Sequence, residues 1–164
     1  MADKTNFTRE EWTLLLKSPM IAGMAITAAD PSGLWGLLKE SFAGGAALTQ
    51  AATDANANSL VKAVVADFSA SEGRSAARDG LKADFAGGKP ADMKTKSIDS
   101  LRQVSSLLSA KAPSDAAAFK GWLRQISQKT AEAATEGGSL FGGGVQVSDA
   151  EKATLGEISC ALGI

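Results

Sequence analysis

The chain has 164 residues, 45% of them apolar and 21% charged, which is the size and composition of a single globular domain with its own core. The formal net charge is −1, with 17 basic and 18 acidic residues interspersed, so a nucleic-acid partner is not expected. Histidine and tyrosine are absent, which excludes imidazole bases, imidazole metal ligands and tyrosine acids.

Cysteine usage and hydropathy indicate the compartment. Cys160 is the only cysteine, which excludes an intrachain disulfide or a cysteine-based zinc cluster and fits a reducing cytoplasm. The charged amino-terminal segment lacks the apolar core of a signal peptide. The most apolar run, residues 14–29, is interrupted by Lys17, Ser18 and Pro19 and is shorter than the roughly 18 to 20 apolar residues of a membrane span. We expect a buried core helix here and no membrane span.

The first helix has a clear start signal. Thr8-Arg9-Glu10-Glu11 is a capping box, in which Thr8 is the N-cap and Glu11 reaches back to it. Pro19 has no N–H to donate, so it is expected to kink or break this helix near Ser18. Alternatively, residues 17–19 form a short connector between two helices.

Three further segments follow in the first 96 residues. A second helix is predicted to start with Asp30 as its cap and Pro31 at its first position. A third helix is predicted over 56–68, because the apolar residues there follow i, i+3, i+4, i+7 spacing. These residues are Val61, Val64, Val65 and Phe68. Within a single helical domain spanning 1–164, residues 69–96 are the best candidate for a mobile segment, because glycines bracket a short polar helix there.

Two helices with strong signals are predicted in the middle of the chain. The first of them, the fourth predicted helix of the chain, covers 97–110. Ser114 is expected to cap the next helix, with Asp115 near the positive end of its dipole. That helix carries one stripe for about four turns until Gly137 and Gly138 end it. The stripe comprises Phe119, Trp122, Leu123, Ile126, Thr130 and Ala133.

The last helix also opens with a capping box, Ser148-Asp149-Ala150-Glu151. It carries a bulky apolar stripe and, nearly opposite, a stripe of small residues. The bulky residues are Leu155, Ile158 and Leu162, and the small ones are Ala153, Gly156 and Cys160. This pattern predicts a helix packed on both sides. We therefore expect an all-α fold, a compact bundle of six or seven helices with the last helix central.

The glycine-rich loop 137–144 does not match a phosphate-binding loop. It lacks the Lys-Ser/Thr of a P-loop, and it follows a helix, whereas a dinucleotide fingerprint follows a strand. Glu136 and Asp149 at its rims would repel phosphate. The pattern predicts a long turn whose Leu140 and Phe141 enter the core.

Four carboxylates near this loop form a candidate metal site. Glu132 and Glu136 lie one helical turn apart, and Asp149 and Glu151 begin the next helix. Oxygen ligands of this kind suit a hard divalent cation such as Ca²⁺ or Mg²⁺. Helix capping and a solvated helix face account for the same residues, so no cofactor is the first expectation and the cation is the alternative. Cys160 is expected to be a packed small residue, because no histidine can activate it and the carboxy-terminal end of a helix, where it lies, disfavours a thiolate.

The carboxy-terminal third resembles a known family. Ala131-Glu132-Ala133-Ala134, a loop, Val147-Ser148-Asp149-Ala150-Glu151-Lys152, and a helix that ends in Leu-Gly follow one another. This order is similar to the ending of tellurite-resistance TerB-like helical domains. In that family the loop is a short Ala-Asp-Gly whose acidic residues are linked to metal binding, and Thr135-Glu136-Gly137 stands in its place here. The resemblance implies Glu136 and Glu151 as the matching positions.

These features favour a non-enzymatic cytoplasmic module that binds a protein partner or associates with itself. Trp35, at the start of the predicted second helix, is a candidate partner-binding anchor, although the three tryptophans are most simply core residues. A TerB-like metal or small-ligand binder is the alternative. An enzyme that uses carboxylate or lysine chemistry is the least favoured class.

Overall fold

A computed structural model describes residues 2–29, 57–137 and 147–164. Every regular element in these ranges is helical, which confirms the all-α bundle. In these ranges a 3-10 turn (Lys4–Asn6) precedes six helices: α1 (Arg9–Ala29), α2 (Ser59–Ser69), α3 (Ser71–Phe85), α4 (Pro90–Lys111), α5 (Pro113–Gly137) and α6 (Asp149–Leu162). The predicted second helix at Asp30, Trp35 and most of the glycine-rich loop lie outside the described residues.

Within the described ranges, α1 is the central helix, because it contacts each of the other five helices. In the same part of the chain, the prediction that the last helix is central is wrong, because α6 packs on α1, α4 and α5 through one face and its other side is exposed. The physical reason is the distribution of apolar residues. Twelve of the 21 residues of α1 are buried, all round the helix, whereas α6 keeps a solvated side.

The apolar character of α1 is explained by this central position. Among the described residues it is the one helix long and apolar enough to cross a membrane, yet 67% of its most apolar window is buried inside the bundle. This burial confirms the prediction of a core helix.

Pro19 does not interrupt α1. The predicted break near Ser18 and the alternative connector at 17–19 are both wrong, because one helix runs from Arg9 to Ala29, whereas the kink expected at Pro19 stays a prediction. The Ser18 hydroxyl donates to the Leu15 carbonyl at 2.8 Å. That carbonyl is the acceptor that the missing Pro19 N–H would have used. Ser18 and Pro19 are both buried, so packing holds the helix together across this point.

Both predicted capping boxes are confirmed. At the start of α1, the Thr8 N–H donates to Glu11 Oε2 at 2.7 Å, and the Glu11 N–H donates to Thr8 Oγ1 at 3.3 Å. At the start of α6, the Ser148 N–H donates to Glu151 Oε2 at 2.9 Å, and the Glu151 N–H donates to Ser148 Oγ at 3.2 Å. Each pair satisfies two backbone N–H donors within one turn.

Prolines shift two other helix starts from the predicted positions. α4 begins at Pro90 and not at 97, and α5 begins at Pro113, so Ser114 is not its N-cap. Proline suits the first position of a helix, where its missing N–H would be unpaired anyway. Asp115 lies in the first turn of α5, as predicted. The α5 stripe is buried except for Trp122, which is half-buried, and Ala133, which is exposed.

Asp115 ties three segments together. Only 3% of it is exposed. Its Oδ2 accepts the Ala2 backbone N–H at 2.8 Å, and its Oδ1 accepts the Asn58 amide Nδ2 at 2.8 Å. Asn58 in turn caps α2, where its Oδ1 accepts the Leu60 N–H at 2.9 Å. Burial raises the pKa of Asp115, but the hydrogen bonds from Asn58 and Ala2 outweigh it and hold this pKa below its ordinary value.

Candidate functional site

The predicted acidic site is only partly within the described residues. Glu151 is 4% exposed and is used in the capping box. Asp149 is exposed and lies 3.6 Å from the Lys152 ammonium, while Glu132 is exposed and accepts the Gln128 amide at 2.9 Å. The side chain of Glu136 lies outside the described residues. In the ranges given above, no group of three or more carboxylate or cysteine side chains could hold a metal ion, so the cation site stays a prediction.

The small-residue stripe of α6 faces outward. Ala153, Gly156 and Cys160 are all exposed, so the predictions of a helix packed on both sides and of a packed Cys160 are wrong. A Cβ added at Gly156 would meet no atom within 4 Å. The bulky residues on the opposite side are buried, as expected. We call this exposed stripe the α6 outer face.

A groove of about 450 Å³ opens between the start of α1 and the first half of α3. We call it the amino-terminal groove. Its volume falls in the usual range for ligand sites. The lining residues come from the 3-10 turn, from α1 and from α3. They are Lys4, Phe7, Thr8, Arg9, Trp12, Thr13, Leu16, Glu72, Gly73, Ser75, Ala76 and Asp79.

The floor of the amino-terminal groove is aromatic and held in place. The Phe7 and Trp12 rings lie 5.9 Å apart between centroids. The Trp12 indole Nε1 donates to Asp67 Oδ2 at 2.6 Å, and the Lys4 ammonium donates to the same oxygen at 3.0 Å. Burial raises the pKa of Asp67, but these two hydrogen bonds outweigh it and lower the pKa. The charge of Lys4 is therefore already compensated by Asp67.

The α3 wall of the groove carries two charges that have no partner among the described residues. Arg9 on α1 and Glu72 and Asp79 on α3 are exposed, and none of them forms a side-chain hydrogen bond or ion pair with the residues that the structure describes. The Arg9 charge interacts with the neighbouring Glu10 carboxylate, so the uncompensated charges of the walls are the two negative ones of Glu72 and Asp79. Glu72 and Asp79 are seven residues apart, so they share one face of α3 at a spacing of about 10 Å along the helix axis.

Sequence reasoning missed this groove because its parts are far apart in the chain. Its floor comes from the first 16 residues and its far wall from residues 72–79. The one local signal is the pair of carboxylates seven residues apart on a polar helix. That spacing shows that they share a face but does not show which element they oppose.

Comparisons with known proteins do not assign a function. No protein-family model, no curated protein and no solved structure matches this chain. The similarity to TerB-like domains therefore stays a prediction.

Proposed function

We propose that this protein is a non-enzymatic interaction module that binds a basic peptide segment of a partner protein in the amino-terminal groove. The observation that carries the proposal is the pair of uncompensated carboxylates, Glu72 and Asp79, on one wall of a groove with an aromatic floor. A protein segment can place basic side chains against that wall and apolar atoms against the floor. Arg9 on the opposite wall favours an acidic or carbonyl group on the other side of the segment.

The expected partner chemistry follows from the spacing. Two lysine or arginine side chains about 10 Å apart would pair with Glu72 and Asp79. Each exposed ion pair contributes about 0.2 to 1 kcal/mol, so binding through them is modest and weakens as salt screens the charges. Such an interaction suits a transient partner.

Selection of peptides from a random phage-displayed library tests this proposal. We expect the selected peptides to share two basic residues. Their affinity, measured by calorimetry, should fall about ten-fold in the double variant Glu72→Gln/Asp79→Asn, because two exposed ion pairs are lost. The matched control is Asp92→Asn/Asp149→Asn, which removes the same charge from exposed positions outside the groove. Peptides without basic residues, or affinities equal in the two double variants, would contradict the proposal.

Self-association through the α6 outer face is a second candidate function, supported by the exposure of Ala153, Gly156 and Cys160. Their spacing is i, i+3, i+7, which corresponds to the a, d and a positions of a heptad. Lys152 and Glu157 then occupy the flanking g and e positions, five residues apart, and a pair between two copies would replace their contacts with Asp149 and Lys94 within the chain. In a parallel pair of helices, such residues of opposite charge face each other across the interface. A 14-residue helix spans about 21 Å, so the association is expected to be weak.

Sedimentation equilibrium of the reduced protein tests this second candidate. We expect a monomer–dimer equilibrium that is detectable at protein concentrations up to about 1 mM. A dissociation constant of about 1 mM corresponds to a free energy of association of about −4 kcal/mol. Gly156→Gln should abolish it by placing a long side chain at the centre of the face. Gly121→Gln is the control, because Gly121 is also an exposed helical glycine with no atom within 4 Å of an added Cβ. A wild-type protein that is monomeric throughout this range would rule the candidate out.

A further inference from the structure

The sequence of α3 makes it a weak helix. It contains Gly73 and Gly80, and glycine is the poorest helix former after proline. Its N-cap is Ala70, which makes no side-chain hydrogen bond to the first turn. Its own residues therefore give little support to the helical state.

The packing of α3 is also sparse. Only Gly73 and Ala77 are buried, while Leu81 and Phe85 are half-buried. The neighbouring α2 is shorter but buries four large apolar side chains: Leu60, Val61, Val64 and Val65. Segments with few buried apolar contacts are the ones that open locally at low free energy.

Polar contacts attach the second half of α3 to the bundle. The Asp84 carboxylate pairs with the Lys17 ammonium of α1, and the Asp84 backbone carbonyl accepts the Lys96 ammonium of α4 at 3.1 Å. At the middle of the helix, a Cβ added at Gly80 would lie 3.2 Å from the Thr13 methyl group, so the two helices touch closely there. Beyond α3, Gly87 adopts a positive φ of 68° that separates it from α4.

We infer that α3 is a lid over α1: it forms one wall of the amino-terminal groove and unfolds locally as a unit while the rest of the bundle stays folded. When α3 opens, the wall that carries Glu72 and Asp79 leaves the groove. The buried surface of α1 beneath it, around Thr13 and Leu16, then becomes accessible. The opening itself is independent of a partner, and only its consequence for peptide binding rests on the proposed function.

Hydrogen exchange measured by mass spectrometry on the full chain, without peptide, tests the lid. We expect amides in the second half of α3 to exchange at least about 100-fold faster than those of α1 and α4, which exchange by global unfolding. Asp84→Asn should accelerate amide exchange in α3 about three- to five-fold, because it weakens the contact with Lys17. Asp99→Asn, which removes an exposed ion pair on α4, should leave α3 exchange unchanged. Equal protection of α3 and α4 would overturn the inference.

A reversible cross-link provides a second measurement. In a Cys160→Ser background, Thr13→Cys and Gly80→Cys place two thiols where α3 touches α1. Oxidation should slow α3 exchange to the rate of α4, and reduction of the same sample should restore fast exchange. No difference between the two states would count against the lid. If α3 opens but no basic peptide is selected, the proposed function fails and the lid stands; if peptides bind and α3 does not open, the reverse holds.

Discussion

Asp115→Ala is expected to lower the free energy of unfolding by about 2 to 4 kcal/mol. The substitution leaves the buried Ala2 N–H and the Asn58 amide without their acceptor, and it loosens the cap of α2 that Asn58 provides. Urea denaturation followed by tryptophan fluorescence measures the change. Asp99→Ala removes a carboxylate from an exposed i,i+3 pair with Arg102, so it should lower the free energy of unfolding by no more than about 0.5 kcal/mol. Similar losses for the two variants would contradict the role assigned to Asp115.

Asp115 also makes the stability of the protein depend on pH, and the direction of this dependence follows from its pKa. The pKa of Asp115 is lower in the folded protein than its ordinary value of about 3.9. The unfolded chain therefore takes up the proton first as the pH falls, and the stability contributed by this carboxylate is lost on acidification. The difference in unfolding free energy between the wild type and Asp115→Asn should be constant above about pH 5 and shrink below about pH 4. A difference that does not change with pH would show that the charge of Asp115 contributes nothing.

Gly73→Ala is expected to destabilise the protein by about 1 to 3 kcal/mol. A Cβ at this position would lie 2.1 Å from the Asp67 carbonyl oxygen and 2.7 Å from its carbon, so the backbone between α2 and α3 must move. Asp67 also holds Trp12 and Lys4, and its displacement should disturb the floor of the amino-terminal groove. Thermal unfolding and the tryptophan emission spectrum measure both effects.

Gly156→Ala is the matched control for this substitution. It is also a glycine-to-alanine change inside a helix, but the added Cβ meets no atom within 4 Å. Alanine favours the helix, so this variant should be stabilised by about 0.5 to 1 kcal/mol. If Gly73→Ala and Gly156→Ala changed the stability in the same direction, close packing between α2 and α3 would not be the reason for a glycine at position 73.

The features that the sequence predicts well are those set within one turn of chain. The two capping boxes depend on residues three apart, such as Thr8 and Glu11, and both form. Pro19 shows where local rules fail, because a helix that is buried by its neighbours continues through a residue that would end it in isolation. The neighbouring Ser18 hydroxyl supplies the missing donor, which the general rule for proline does not consider.

Features that depend on which faces meet could not be predicted in this way. The outward position of Cys160 follows from the bundle covering only one side of α6, and a pattern of small residues does not reveal whether a neighbour is present. The amino-terminal groove could not be predicted for the same reason. Its floor is fixed by Asp67, which lies 55 residues beyond Trp12 in the chain, and such pairings are set by the tertiary fold alone.

The contact between Ala2 and Asp115 has a practical consequence for protein engineering. Ala2 is 8% exposed and its backbone is held inside the junction of α2 and α5. A change that displaces the Ala2 backbone would disturb Asp115 and, through Asn58, the cap of α2. The segment around Ala2 is therefore a poor place for a purification tag or a fluorescent label, because such a label would act on the stability of the whole junction.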